Sequence, residues 1–81
     1  MIQQLVVGNL TRQLHCYANQ LRSEVNKGEV VPHVAILMLK EYAKGLKDSA
    51  QSLFNDPAVA DPIADGLREV LRDLTPQLKE L

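Results

Sequence analysis

The sequence predicts a single all-α domain built as a small three-helix bundle. Its 81 residues provide enough chain for one hydrophobic core and too little for two. Apolar residues make up 46% of the chain, charged residues 23% and aromatic residues 4%, which is typical of a folded, water-soluble domain. Leucine fills 13 positions, whereas Gly and Pro number four each, so long helices with few interruptions are favoured.

The first predicted helix covers residues 2–27. Its apolar side chains recur at alternating steps of three and four, which places them on one face of a helix. Gly8 and Asn9 weaken its first turns. Lys27 followed by Gly28 supplies the end, because glycine adopts the left-handed conformation that terminates helices. The predicted buried positions are Val7, Leu10, Leu14, Tyr17, Leu21 and Val25.

The second predicted helix covers residues 31–54, with Pro32 in its first turn. The first half of this helix is apolar nearly all round, and such a helix needs cover on every side. A second apolar stripe therefore lies beside the main one, and it continues through the small residues Gly45 and Ser49, which permit close approach of another helix. The main stripe is a heptad seam of Ile36, Leu39, Ala43, Leu46, Ala50 and Leu53.

The third predicted helix covers residues 62–75, with a loose final turn reaching residue 80. Asp-Pro pairs occur at 56–57 and 61–62, and each combines an N-cap residue with proline at the first helical position. The second pair is the predicted start, which leaves residues 57–60 as a separate turn, and Pro76 predicts a kink or an end. The buried face comprises Ile63, Leu67, Val70, Leu74 and Leu81, flanked by Leu71 and Leu78.

The first two helices are predicted to form an antiparallel hairpin along which the third packs. The helices carry more apolar surface than a bundle of this size buries, and such a surplus marks protein–protein contacts. We expect a homodimer, or a surface for another protein, although helices one and three could instead cover the second helix from both sides. The expected contact residues are Val34, Leu37, Met38, Tyr42, Leu71 and Leu78.

These features favour a non-enzymatic interaction module that acts as an adaptor, a chaperone or a regulatory subunit. The arrangement is similar in style to small secretion chaperones, phage-encoded regulators and bacterial adaptor proteins, an analogy of architecture that fixes no function. Acyl carrier proteins, which use a D-S-L motif, are a poor match. Ser49 follows Asp48 but lies within the heptad seam, and the chain lacks their acidic excess.

The basic residues support an alternative function, the binding of nucleic acid or another anionic surface. The net charge is −1, but residues 1–40 carry +2 and residues 41–81 carry −3. A dedicated nucleic-acid binder has a strong basic excess, so nucleic acid is not the expected partner. Acidic residues also interrupt the lysine stripe of the second helix, as in a solvated face. The candidate anion-binding residues are Arg12, Arg22, Lys40, Lys44 and Lys47.

Residues that carry catalytic chemistry are sparse. Within their own predicted helices, His15 and His33 have no metal-ligand partner three or four positions away, and they are expected to be partly exposed. There is no phosphate-binding loop, nucleophile motif or paired-carboxylate site. We predict no enzyme activity, cofactor, metal or small-molecule substrate. Small helical enzymes similar to chorismate mutase cluster Arg and Lys around one pocket. The lysine stripe is predicted to lie opposite the seam, and only two or more cations lining a shared pocket would favour an enzyme.

The expected location is the cytoplasm. Cys16 is the single cysteine, so it forms no internal disulfide and indicates a reducing compartment, with a buried apolar role for its side chain. The longest apolar run, residues 34–39, is far shorter than the ~20 residues of a membrane span. The first residues lack the basic segment and continuous apolar run of a signal peptide.

Overall fold

The computed structural model describes the backbone of residues 2–79 and the side chains of residues 4–79. Three α-helices make up nearly all of this range: α1 is Ile2–Asn26, α2 is Pro32–Leu53 and α3 is Pro57–Lys79. No strand occurs among the described residues. The predicted all-α fold of three helices is confirmed.

The three helices form an elongated bundle, 42 Å long and 18 by 15 Å across. Each helix packs against the other two, but α3 makes the larger contacts and the contact between α1 and α2 is the smallest. The side of the bundle where α1 meets α2 is therefore the most open. The hairpin arrangement and the dimer stay predictions.

The end of α1 follows the sequence signal. Gly28 adopts a φ of 77°, in the left-handed region that favours glycine. Its N–H donates to the carbonyl of Val25 at 3.0 Å, and the N–H of Glu29 donates to the carbonyl of Glu24 at 2.9 Å. This pair of hydrogen bonds is the Schellman motif, which satisfies carbonyls that have no partner inside the helix.

The start of α3 differs from the prediction. Asp56 is its N-cap, and the Asp56 Oδ1 accepts a hydrogen bond from the N–H of Ala58 at 3.0 Å. The helix then runs without a break through Pro62, so the predicted start at 62 and the separate turn at 57–60 are wrong. Ala60 and Ile63 are buried in the core on either side of Pro62, which itself is exposed. Their packing offsets the one backbone hydrogen bond that proline removes.

The end of α3 also runs past a proline. The helix continues through Pro76 to Lys79, because Leu78 is fully buried and anchors the last turn to the core. The Thr75 hydroxyl donates to the carbonyl of Leu71 at 2.7 Å, one turn earlier. Of the predicted alternatives at Pro76, an end at residue 75 is therefore wrong, whereas the extension of a final turn toward residue 80 agrees with the observed end at Lys79. The predicted buried residue Leu81 lies outside the described residues.

The core is an apolar cluster of leucine, isoleucine and alanine side chains contributed by all three helices. Most of the predicted buried positions are buried or half-buried, and the structure adds four alanines, Ala18, Ala35, Ala60 and Ala64. No described polar or charged residue is buried. The largest fully buried side chains are Leu14, Leu21, Leu39, Ile63, Leu67 and Leu78.

Three positions have surroundings that differ from the predicted ones. Leu53 ends the predicted seam but is 78% exposed, because the chain leaves the helix at Phe54, whose half-buried ring packs against the core. Cys16 is exposed rather than buried, since Leu14 and Ala18 define the buried face of α1 and position 16 lies opposite it. A Cβ added at Gly45 would meet nothing within 4 Å, so the close approach of another helix expected there does not occur among the described residues.

Candidate functional site

Exposed apolar side chains are concentrated at the start of α2. Val31 is 51% exposed, Val34 37%, Leu37 58% and Met38 37%, and the described residues contain only two other large apolar side chains that are exposed. Residues 34, 37, 38 and 42 lie on one side of a helix, because positions three and four apart are neighbours. Most of the second apolar stripe predicted on this helix is therefore left uncovered by the described residues, with Tyr42 as its half-buried member.

An aromatic stack borders this stripe and joins it to α1. The rings of Tyr17 and Tyr42 have centroids 4.3 Å apart and are inclined by 23°. Both tyrosines are half-buried. We define the apolar surface as the lining of an open hollow of about 470 Å³, which comprises Tyr17, Val34, Leu37, Met38, Glu41 and Tyr42.

The apolar surface continues into a more polar hollow of about 280 Å³ along α1. The two hollows share Tyr17 and Tyr42, and the second adds Arg12 and Cys16 together with two glutamines. Arg12 thus lies at the α1 end of a continuous groove and Glu41 lies within its apolar part. Neither residue forms an ion pair among the described residues.

The structure brings together four of the six predicted contact residues and separates the other two. Leu78 is fully buried in the core, so it is removed from any surface that a partner could contact. Leu78 flanks the predicted seam, but its side chain faces inward because α3 packs against both other helices. Leu71 is half-buried and lines a different hollow, between α2 and α3. Sequence reasoning missed Tyr17 as part of the surface, since its heptad spacing assigned it to the core.

The hollow between α2 and α3 has a volume of about 160 Å³ and a mixed lining. Its apolar residues are Ala43, Ala64, Leu67 and Leu71. Its cationic residues are Lys40, Lys44 and Lys47 from α2 and Arg68 from α3. We call this site the cationic hollow.

The cationic hollow contradicts the expectation that the lysines lie opposite the seam. Lys40 and Lys47 lie three positions before and four positions after the buried Ala43, so helix geometry places them on its side. The expected absence of a cationic cluster around a shared pocket is therefore wrong, and the expected absence of enzyme activity stays a prediction. Arg68 was missed because only tertiary packing brings α3 beside these lysines.

Of the four cations that line the cationic hollow, only Arg68 forms an ion pair among the described residues. Arg68 contacts the Asp65 carboxylate at 3.2 Å, between exposed side chains one turn apart on α3. Lys40, Lys44 and Lys47 form no ion pair within the part of the chain that the structure describes. Arg12 lies instead in the α1–α2 groove and Arg22 is exposed on α1. The five predicted anion-binding residues therefore do not form one patch.

The histidines and other potential metal ligands do not form a metal site among residues 4–79. His15 and His33 are exposed, which agrees with their expected placement. Within this range, no three His, Cys, Asp or Glu side chains come together in a way that could hold a metal ion. None of the three helices, over the described range, has an apolar stretch long enough to cross a bilayer.

The fold and these surfaces define a small three-helix protein with one apolar groove and one cationic hollow. No family model matches the chain, and neither curated proteins nor solved structures show significant similarity to it. Its function has to be inferred from its own residues.

Proposed function

We propose that this protein is a non-enzymatic protein–protein interaction module, acting as an adaptor, a chaperone or a regulatory subunit. The observation that supports this function is the uncovered apolar stripe of Val34, Leu37 and Met38 beside the tyrosine stack. Exposed apolar side chains gathered in one place mark sites of protein association. Their burial would stabilise a complex by ~25 cal/mol per Å² before the costs of association are subtracted.

The proposed occupant of the apolar surface is a second copy of the same chain. In a two-fold symmetric contact, a residue that meets a second residue of the other copy is matched by the reciprocal contact, so the surface must be complementary to itself. The groove meets this requirement because it carries an unpaired cation, Arg12, and an unpaired carboxylate, Glu41, along one apolar strip. A two-fold axis near the tyrosine stack would set Arg12 of each copy opposite Glu41 of the other.

The apolar residues would supply most of the affinity and the charges most of the orientation. Leu37 is the most exposed of the stripe residues, and the two tyrosines are of the type that dominates binding energy at interfaces. Charges at the rim of an interface change the association rate and the choice of partner more than the affinity. The proposal includes a cytoplasmic location, where the exposed Cys16 would stay reduced.

The test of this function is the solution mass, measured by light scattering over a protein concentration series. We expect the wild-type chain to have twice the monomer mass and Leu37→Asp to have the monomer mass at the same concentrations. Leu53→Asp is the matched control, because Leu53 is an exposed leucine of the same helix outside the groove. We expect it to remain dimeric. A folded wild-type monomer at every concentration would overturn self-association and favour a different protein as the occupant.

Charge exchange tests the two-fold arrangement. We expect Arg12→Glu to weaken the dimer by like-charge contact with Glu41, and the double variant Arg12→Glu/Glu41→Arg to restore it. Arg22→Glu changes an exposed arginine of the same helix outside the groove and serves as the control. Failure of the double variant to restore the dimer would exclude the Arg12–Glu41 pairing.

A further inference from the structure

We propose that the cationic hollow between α2 and α3 binds a small organic anion, with a carboxylate or phosphate head and an apolar body. This inference is independent of the proposed function, because the hollow lies between α2 and α3 whereas the apolar surface lies between α1 and α2. It assigns a ligand class to the three lysines and to Arg68, which the protein–protein contact does not use.

The apolar body of the ligand would contact the floor of the hollow. Ala43 and Ala64 are small side chains on facing helices, and the space that they leave unfilled forms the hollow. Both alanines and Leu67 are almost fully buried, so the floor is hydrocarbon. A volume of about 160 Å³ is below the ~300–1,000 Å³ of sites for drug-sized ligands, so it fits a smaller molecule.

The head of the ligand would be held by the lysines. Lys40, Lys44 and Lys47 follow each other at helical spacing, and like charges at this spacing repel one another. Among the described residues they form no ion pair, although Glu41 and Asp48 lie one turn from Lys44 and the whole chain has a net charge of −1. Lys47 is half-buried. An anion at the rim would relieve this repulsion and accept charge-assisted hydrogen bonds.

The surroundings of the hollow favour a compact anion over a nucleic acid. The exposed face of α3 carries Asp61, Asp65, Glu69 and Asp73. A polyanion that continued past the hollow along α3 would meet these carboxylates, whereas a small anion would contact only the cations. The lining contains four cations and no carboxylate, so it suits the binding of an anionic head.

The experiment is a chemical-shift titration of the isotope-labelled chain at low salt with three probes. Hexanoate carries both an anionic head and an apolar body, inorganic phosphate carries only the charge, and 1-hexanol has only the apolar chain. We expect hexanoate to saturate at millimolar concentration and to shift signals of Ala43, Lys44, Leu67 and Leu71. Phosphate and hexanol should bind more weakly. No saturable hexanoate shift, or equal binding of either other probe, would overturn the proposed ligand class.

Variants connect the binding to the lysines. We expect Lys44→Gln/Lys47→Gln to weaken hexanoate binding by about tenfold, the effect of removing charge-assisted contacts. Lys27→Gln/Lys79→Gln is the matched control, because it removes two exposed lysines that do not line the hollow, and its affinity should equal that of the wild type. Ala43→Leu should abolish binding by filling the hollow with no change of charge. If Ala43→Leu fails to fold, the lysine variants still decide, and equal loss in the control pair would overturn the site.

Discussion

The two sides of α2 differ in what the neighbouring helix leaves uncovered. On the side of α1, long apolar side chains such as Leu37 and Met38 extend past the tyrosine stack and stay exposed. On the side of α3, the small residues Ala43 and Ala64 leave a hollow whose rim is cationic. One helix thus presents a surface suited to another protein and a hollow suited to a small anion. Side-chain size at the helix contact decides which of the two forms.

The difference in packing explains the difference in surface. The contact between α2 and α3 is the largest in the bundle and that between α1 and α2 is the smallest. Close packing against α3 buries the floor of the hollow and limits its volume, whereas looser packing against α1 leaves an open groove. The apolar surface and the cationic hollow share one support, the buried residues of α2.

The largest expected effect comes from removing that common support. Leu39 is fully buried on α2, between Met38 of the apolar surface and Lys40 of the cationic hollow. Leu39→Ala would leave a cavity and lower the free energy of unfolding by ~2–5 kcal/mol. This is a large part of the ~5–15 kcal/mol that stabilises a typical domain. Self-association and hexanoate binding should both weaken.

Urea unfolding followed by circular dichroism measures this effect. The control is Leu53→Ala, which shortens an exposed leucine of the same helix and should change the unfolding free energy by less than about 0.5 kcal/mol. Equal effects of the two substitutions would contradict the placement of Leu39 in the core.

Salt should affect the two sides of α2 differently. Screening shortens the Debye length from about 10 Å at 0.1 M salt to about 3 Å at 1 M, and it weakens charge–charge attraction at exposed sites. We expect hexanoate affinity to fall several-fold over this range. The dimer should persist, because apolar burial does not depend on charge. Sedimentation and chemical-shift titration at both salt concentrations measure the two effects. A dimer that dissociates in 1 M salt would show that ionic contacts dominate the interface.

Replacing either of two glycines by alanine distinguishes the open side of α2 from a packed contact between helices. Gly45 lies within α2 with open space beside it, so Gly45→Ala should raise the free energy of unfolding by ~0.5–1 kcal/mol through helix propensity. At Gly66 an added Cβ would lie 3.1 Å from Cγ1 of Val7, where α3 approaches α1. Gly66→Ala should therefore raise the free energy of unfolding by less than Gly45→Ala does.

Both glycine variants are measured by urea unfolding in the Leu37→Asp background, since self-association would otherwise add to the apparent stability. A smaller gain for Gly45→Ala than for Gly66→Ala would contradict the open environment of Gly45.

The smallest expected effect concerns the one ion pair beside the hollow. Asp65→Asn removes the carboxylate that contacts Arg68, and exposed pairs at this spacing contribute only ~0.2–0.5 kcal/mol to stability. Hexanoate affinity should rise, because Arg68 no longer has a competing anion. Asp73→Asn, an exposed change farther along the same helix, is the control for net charge. Lower hexanoate affinity in Asp65→Asn would contradict a role for Arg68 in anion binding.

Local signals in the sequence predicted the helices well where neighbouring residues decide the outcome. Gly28 ends α1 and Pro32 begins α2 as expected, because a φ preference or a missing N–H acts within one turn. The same reasoning failed at Pro62. The Asp-Pro signal there is as strong as at residues 56–57, but core packing of Ala60 and Ile63 keeps the helix continuous.

The candidate surfaces were predictable in part. The excess of apolar residues on α2 predicted the stripe of Val34, Leu37 and Met38, because a helix apolar all round cannot be covered by one neighbour. The contribution of Tyr17 was not predictable, since its spacing on α1 equally fits a core position. Helix geometry could have placed Lys40 and Lys47 beside Ala43, but nothing local indicates that Arg68 lies across from them.

The sequence by itself determined that this chain forms three helices, where the connection between the first two lies and which helix has apolar residues to spare. These properties depend on residues within a turn or two of each other, through caps, φ preferences and helical spacing. Only the tertiary structure decided that Leu78 is buried, that Leu53 and Cys16 are exposed, and that a hollow lies between α2 and α3. Those outcomes depend on which faces meet and how closely, and that is set by the packing of the whole core.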